Sequence, residues 1–231
     1  CAFRFEDLPE SEFAGTPQIL DAYINVAVSP GFQVKAGRFK TPVGLEQLQS
    51  DSVAFFNERS LATNLAPNRD VGIQVHGDLL DRRLNYAVAV VNGVLDGGNS
   101  PTTNLNAEGD FTAVARLFAT PFVNDRDSAL RGLGFGIAAG AGNYKTGAPG
   151  IAYKTDGQQT FFAYRAATVT DGNATVWSPQ AYYYRGPFGL LAEYISSTVS
   201  LANGANAREV TNTAFNLSAG SRNKLAQSVG Q

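Results

Sequence analysis

The sequence predicts an all-β fold, an antiparallel transmembrane β-barrel, and three observations lead to it. Apolar and polar residues alternate with period two in about ten segments, as strands with one apolar face require, and no segment carries a convincing helical period. Charged residues are 16% of the 231, well below the roughly 25% of soluble domains, while hydrophobic residues are 44%, with 24 glycines and 11% aromatics. Finally, two strand-like runs are joined by a connection of about thirty residues, over about 39–70, where most links are a handful long. In a barrel the natural place for such a connection is inside, folded inward and narrowing the lumen.

Taken in order, residues 3–20 hold the acidic stretch Glu6-Asp7-Leu8-Pro9-Glu10 and no clear period. Next, Ala22, Ile24, Val26 and Val28 share one strand face and Asp21, Tyr23 and Asn25 the other. Ser29-Pro30-Gly31 turns the chain, the proline setting φ and the glycine relaxing the turn, and residues 32–39 return antiparallel. Beyond the long connection, Val71, Ile73 and Val75 alternate with Gln74, His76 and Asp78. Leu84, Tyr86, Val88 and Val90 then alternate with Arg83, Asn85, Ala87 and Ala89, making a hairpin about Leu80-Asp81. Residues 92–109, rich in Gly, Asn and Thr, read as a surface loop.

Strand character resumes at 111–118, breaks over 120–131 and returns at 133–141. In that last run Gly132, Gly134 and Gly136 share one face, which predicts that a plug, loop or neighbouring wall passes close by. A second long loop is expected over 142–157, then strands at about 159–168, 175–185, 188–197 and 209–218, with turns at Asp171-Gly172 and Gly186-Pro187. Membrane barrels alternate long loops with short turns. Two consecutive short links break that alternation, so either a strand near 151–154 is uncounted or one external link is tight. Trp177, Tyr182, Tyr183, Tyr184, Phe188 and Tyr194 cluster as an interfacial aromatic girdle would.

Composition excludes several classes. The longest apolar run, 86–91, has a strand's length and falls far short of the roughly 18 residues of a spanning helix. A mean hydropathy of -0.13 suits a barrel, whose outward apolar and inward polar residues average out. The net charge of -2 and pI near 5.4 carry no polybasic signature, so nucleic acid is not an expected partner. One Cys and one His cannot assemble a disulfide or the usual zinc patterns, and no metal or cofactor is expected. His76 and Asp78 share a strand face, but no G-x-S-x-G elbow supplies a serine nucleophile, and the Gly132-x-Gly134-x-Gly136 spacing is not a dinucleotide fingerprint; no enzyme is expected.

The motifs GRFKTPVGLE (37–46), NERS (57–60) and PNRDVG (67–72), with the runs 116–122, 132–137, 178–184 and 186–194, resemble the phosphate-selective porin O and P family of Gram-negative outer membranes. The resemblance covers most of residues 20–195. It implies a 16-stranded barrel in outer-membrane lipid, a homotrimer, and passage of small anions with a preference for phosphate. Sixteen strands with loops need far more than 231 residues, and the chain ends SRNKLAQSVGQ where the family usually ends on an apolar strand with a terminal aromatic. The chain is therefore expected to be one barrel domain over 1–231, a piece of a longer porin.

Candidate pore cations are Lys35, Arg38, Lys40, Arg83, Arg116 and Arg165; a charge facing lipid at the bilayer midplane costs about 2–4 kcal/mol, which favours inward placement. In the long connection and its flanks, Glu46, Asp51, Glu58, Arg59, Arg69 and Asp70 are expected to latch the loop to the wall. Opposite signs on facing walls would also create a transverse field, and rings of Arg or Lys select anions. No Lys or Arg lies between Gln47 and Asn57, so the cationic centre of a phosphate filter is absent from the loop tip. The leading reading is a passive channel for small anionic solutes. The alternatives are a barrel serving as a structural platform for a partner or surface layer, and a soluble β-sandwich binding module.

Overall fold

Alternating runs separated by tight turns pair with their neighbours in sequence. In the computed structural model, which describes residues 2–4, 21–49, 58–93, 96, 111–149, 152–155 and 159–221, they do so throughout. In chain order the strands are β1 (Ala2–Arg4), β2 (Asp21–Ser29), β3 (Phe32–Lys40), β4 (Arg69–Leu79), β5 (Leu84–Val91), β6 (Thr112–Ala119), β7 (Leu133–Pro149), β8 (Ala152–Lys154), β9 (Thr160–Ala163), β10 (Val169–Arg185), β11 (Phe188–Asn203) and β12 (Asn206–Ser221). Ten of them form one antiparallel sheet in the order β1 to β7, then β10 to β12, while β8 and β9 make a separate ribbon. Among the described residues the sheet is open, with β1 and β12 at its edges.

Several sequence expectations are corrected. The loop expected from 142 is strand as far as Pro149, because β10 supplies a continuous ladder, pairing Asn143 with Asn173 and Tyr144 with Gly172. Asp171-Gly172 is not a turn. It is a bulge inside β10, with register shifts against both neighbours and Gly172 at φ 111°. The strand expected at 159–168 shrinks to β9, whose partner is the short strand near 151–154, and the two lie in the link between β7 and β10. β11 and β12 run through 198–208 with a two-residue turn at Gly204-Ala205, where Gly204 has φ 60°. One link at the loop end is thus tight, and the long and short links otherwise alternate. The hairpin at 80–83 holds Leu80, Asp81 and Arg82 all at positive φ, a strained geometry for non-glycine residues.

The two faces of the sheet differ. Ile24, Val26, Val28, Ile73, Val88, Val90, Leu117, Phe135, Ile137, Phe215 and Leu217 are all exposed, Val28 at 71% and Phe215 at 81%, and they share the outer face by strand parity. So extended an apolar surface is far beyond what a soluble monomer presents to water. The apolar clusters lie between the other face and what covers it: Phe39, Ala89, Val91, Val114 and Ala138 pack with Val43 of the long connection, and Ile195, Val199 and Leu201 with Ala62, Leu65 and Ala66 of the same connection and Tyr153 of β8. Each fully buried apolar side chain contributes about 1.5–3 kcal/mol, so the connection is held by the wall as firmly as a core element.

Candidate constriction site

The connection between β3 and β4 begins and ends at a pinned neck. Thr41 donates its N–H to Asn68 O at 2.7 Å and its hydroxyl to Pro67 O at 2.5 Å, and it is fully buried. From there the chain crosses the inner wall. Val43 packs on β3, β5, β6 and β7, and its carbonyl accepts from Gln180 Nε2 on β10. A single helical turn follows, α1 (Leu45–Leu48), where no convincing helix was expected. Gly44 allows it, since a Cβ there would stand 2.9 Å from Gln47 Cβ and 3.0 Å from Ala66 Cβ.

The first N–H groups of a helix have no partner within it. Here they are met from across the wall: Glu193 on β11 accepts from Leu45 N at 2.6 Å and Glu46 N at 3.2 Å, and also from Ser178 Oγ at 3.0 Å. Glu46 in turn accepts from Asn216 Nδ2 on β12 at 2.9 Å and from the backbone N–H and hydroxyl of Ser60. Gln180, Glu193 and Asn216 are register partners on adjacent strands. The three form one rung across β10 to β12, and the loop is docked along it. Leu45, Phe118, Leu191 and Tyr182 close over the rung as a third apolar cluster.

Arg59 donates to the carbonyls of Gln47 (3.3 Å) and Gln49 (3.1 Å), Lys40 donates to Gln49 O (3.3 Å), and Gln49 Nε2 reaches Tyr184 OH (3.3 Å). The returning limb is a 3-10 turn over Leu61–Leu65 that docks by apolar contact on β11. Arg69 pairs with Asp21 at 3.0 Å in a buried salt bridge, and Asp70 accepts from Val71 N (2.7 Å) and Gly93 N (2.6 Å). Glu58 is exposed, and Asp51 lies outside the described residues.

Two of the sequence-selected cations lie on the inner face. Lys35 Nζ sits 4.8 Å from the Tyr23 ring centroid and 5.6 Å from that of Phe39. Arg116 lies 4.5 Å over Phe118 and donates to Gln180 Oε1 (3.2 Å) and Asn85 Oδ1 (3.4 Å), both neutral amide oxygens. His76, bonded to Asn25 at 3.0 Å, shares this face with them. Arg38 is buried at the loop end of β3, whereas Arg83 lies in the 80–83 turn, 3.9 Å from Asp125, and Arg165 is exposed just after β9.

The glycine face of β7 is filled by rings: a Cβ on Gly134 would stand 2.6 Å from Phe118 Cε1 and 2.7 Å from Tyr182 Cζ. Phe118 and Tyr182 stack there with centroids 5.2 Å apart.

Sequence reasoning missed Ser178, Gln180, Glu193, Asn216 and Asp96. Glu193 had one legible signal, as the sole carboxylate in the run 188–203. Asp96, in the link between β5 and β6, accepts from Ser197 Oγ on β11 at 2.5 Å and from Tyr153 OH on β8 at 2.9 Å. Burial pushes its carboxyl up to about 6, against the opposing pull of those two hydroxyls.

An open-faced antiparallel sheet with an apolar outer surface and a long connection docked on its inner surface is the wall of a β-barrel channel. A family model described as phosphate-selective porin O and P matches residues 2–220. The chain belongs to this family of outer-membrane porins. None of the curated proteins compared matches it.

Proposed function

We propose that the protein is a passive diffusion channel for small anions, phosphate among them, in a Gram-negative outer membrane, with the 41–68 connection narrowing the lumen and three copies making the functional unit. The observation that carries the anion reading is the inner-face pair Lys35 and Arg116. Arg116 donates to amide oxygens and Lys35 lies against aromatic rings, so both cations are held by neutral groups at contact distance, with the carboxylates of Glu193 and Asp21 acting on them only through space. Glu193, by contrast, is saturated by backbone and hydroxyl donors, which offsets its negative charge.

The test is single-channel conductance in a planar bilayer, with the reversal potential read under a salt gradient and phosphate titrated against chloride. Anion-selective current blocked by phosphate is expected, and the Lys35→Gln/Arg116→Gln pair should lower the anion-to-cation permeability ratio several-fold. A cation-selective wild type, or a ratio unmoved by the double substitution, would overturn the assignment.

A further inference from the structure

We propose that Glu193 is the positioning residue that holds the inward-folded connection across the wall and so sets the width of the channel, an inference that rests on the porin reading above. The contacts of this connection divide into two kinds. Thr41 with Pro67 and Asn68, and Arg59 with the carbonyls of Gln47 and Gln49, tie the connection to itself and hold its shape. Glu193, Gln180 and Asn216 tie it to the wall and hold its position.

Within that rung Glu193 is the central member. Its carboxylate takes two of the backbone N–H groups that α1 cannot satisfy, those of Leu45 and Glu46, and it is only 3% exposed. No neutral side chain of the same shape does this, because a glutamine would turn an NH2 toward one of the N–H donors and leave that donor unmet. The neighbours match the path of the chain: Gln180 takes Val43, Glu193 takes Leu45 and Glu46, and Asn216 takes the Glu46 carboxylate. The connection therefore runs across β10, β11 and β12 in step with the spacing of the strands, and its middle fastening is the one that two unpartnered donors depend on. Leu45, packed with Phe118, Leu191 and Tyr182, excludes the water that would otherwise replace it.

The experiment compares wild type, Glu193→Gln, Glu193→Asp and Asn216→Ala by two readouts in the full chain. One is single-channel conductance with the size cut-off for neutral sugars. The other is labelling of a Gln47→Cys probe, in a Cys1→Ser background, by a membrane-impermeant maleimide; Gln47 is buried in the docked connection. Glu193→Gln should raise conductance and size cut-off and label about tenfold faster, the loss of buried hydrogen bonds read as local opening. The barrel should keep its heat-resistant migration, Glu193→Asp should recover part of the slow labelling, and Asn216→Ala should show a smaller effect. Wild-type labelling rate and conductance in Glu193→Gln would overturn the proposal, as would loss of heat-resistant migration in both Glu193 variants, which would make the residue merely structural. Accelerated labelling in a protein that never conducts would overturn the channel reading and leave the docking role standing.

Discussion

Gly134 and Gly136 show how a missing side chain is used. The sequence marks them as a place where something comes close to the wall, and the neighbour proves to be the stacked rings of Phe118 and Tyr182 from the strands on either side of β7. Those rings in turn receive Leu45, so the glycines make room for the surface on which the connection docks. Gly134→Ala should cost about 1–3 kcal/mol, since its methyl would have to displace two packed rings at once. A denaturant midpoint measured in lipid vesicles checks this; an unchanged midpoint would mean that the rings shift freely. Glu193 is the opposite case, a side chain that supplies the acceptor for two backbone donors from far upstream, Leu45 N and Glu46 N.

At the scale of elements, Asp96 joins three that are remote in the chain: the 92–111 connection, the β8–β9 ribbon and β11. Its folded-state carboxyl, at about 6 against an ordinary 3.8, holds a proton between those values that the unfolded chain would release. The clasp is therefore strongest below pH 4, loses stability as the pH rises through 6, and changes little above it. The difference is on the order of 2–3 kcal/mol. Asp96→Asn should abolish this component, so the change in melting temperature between pH 4.5 and 7.5 should differ between the two proteins; identical profiles would remove Asp96 as the cause. Such clasps were not legible in the sequence, because hydrogen-bond partners 57 and 101 residues away leave no local pattern. The strands were legible wherever Val, Ile or Phe alternate with polar residues, as in β2 and β5. They were misread where the alternation is carried by Gly, Ala, Asn and Thr, as in the later part of β7. Asp171-Gly172 misled for a related reason: Asp-Gly is a strong hairpin signal, but two long neighbouring strands hold it in register as a bulge.

The whole molecule is organised by one asymmetry: the outer face is apolar and exposed, whereas the apolar clusters of the inner face are buried against the long connection and the β8–β9 ribbon. Ile137 stands in the middle of the outer face, paired with Leu117 and Pro179 on the adjoining strands. In water its exposure would be a liability, whereas in a bilayer it contributes to the driving force for insertion. A charge there must either remain in hydrocarbon or drag water to itself. Ile137→Arg should therefore lower stability in vesicles by about 2–4 kcal/mol and slow folding into bilayers, whereas Gln33→Glu, on the inner face, should be tolerated within about 1 kcal/mol. Equilibrium denaturation in vesicles, read by tryptophan emission from Trp177, distinguishes the faces. Equal costs for the two substitutions would mean that the apolar face is not the one in contact with lipid, and the proposed place of Lys35 and Arg116 on the channel side would fall with it.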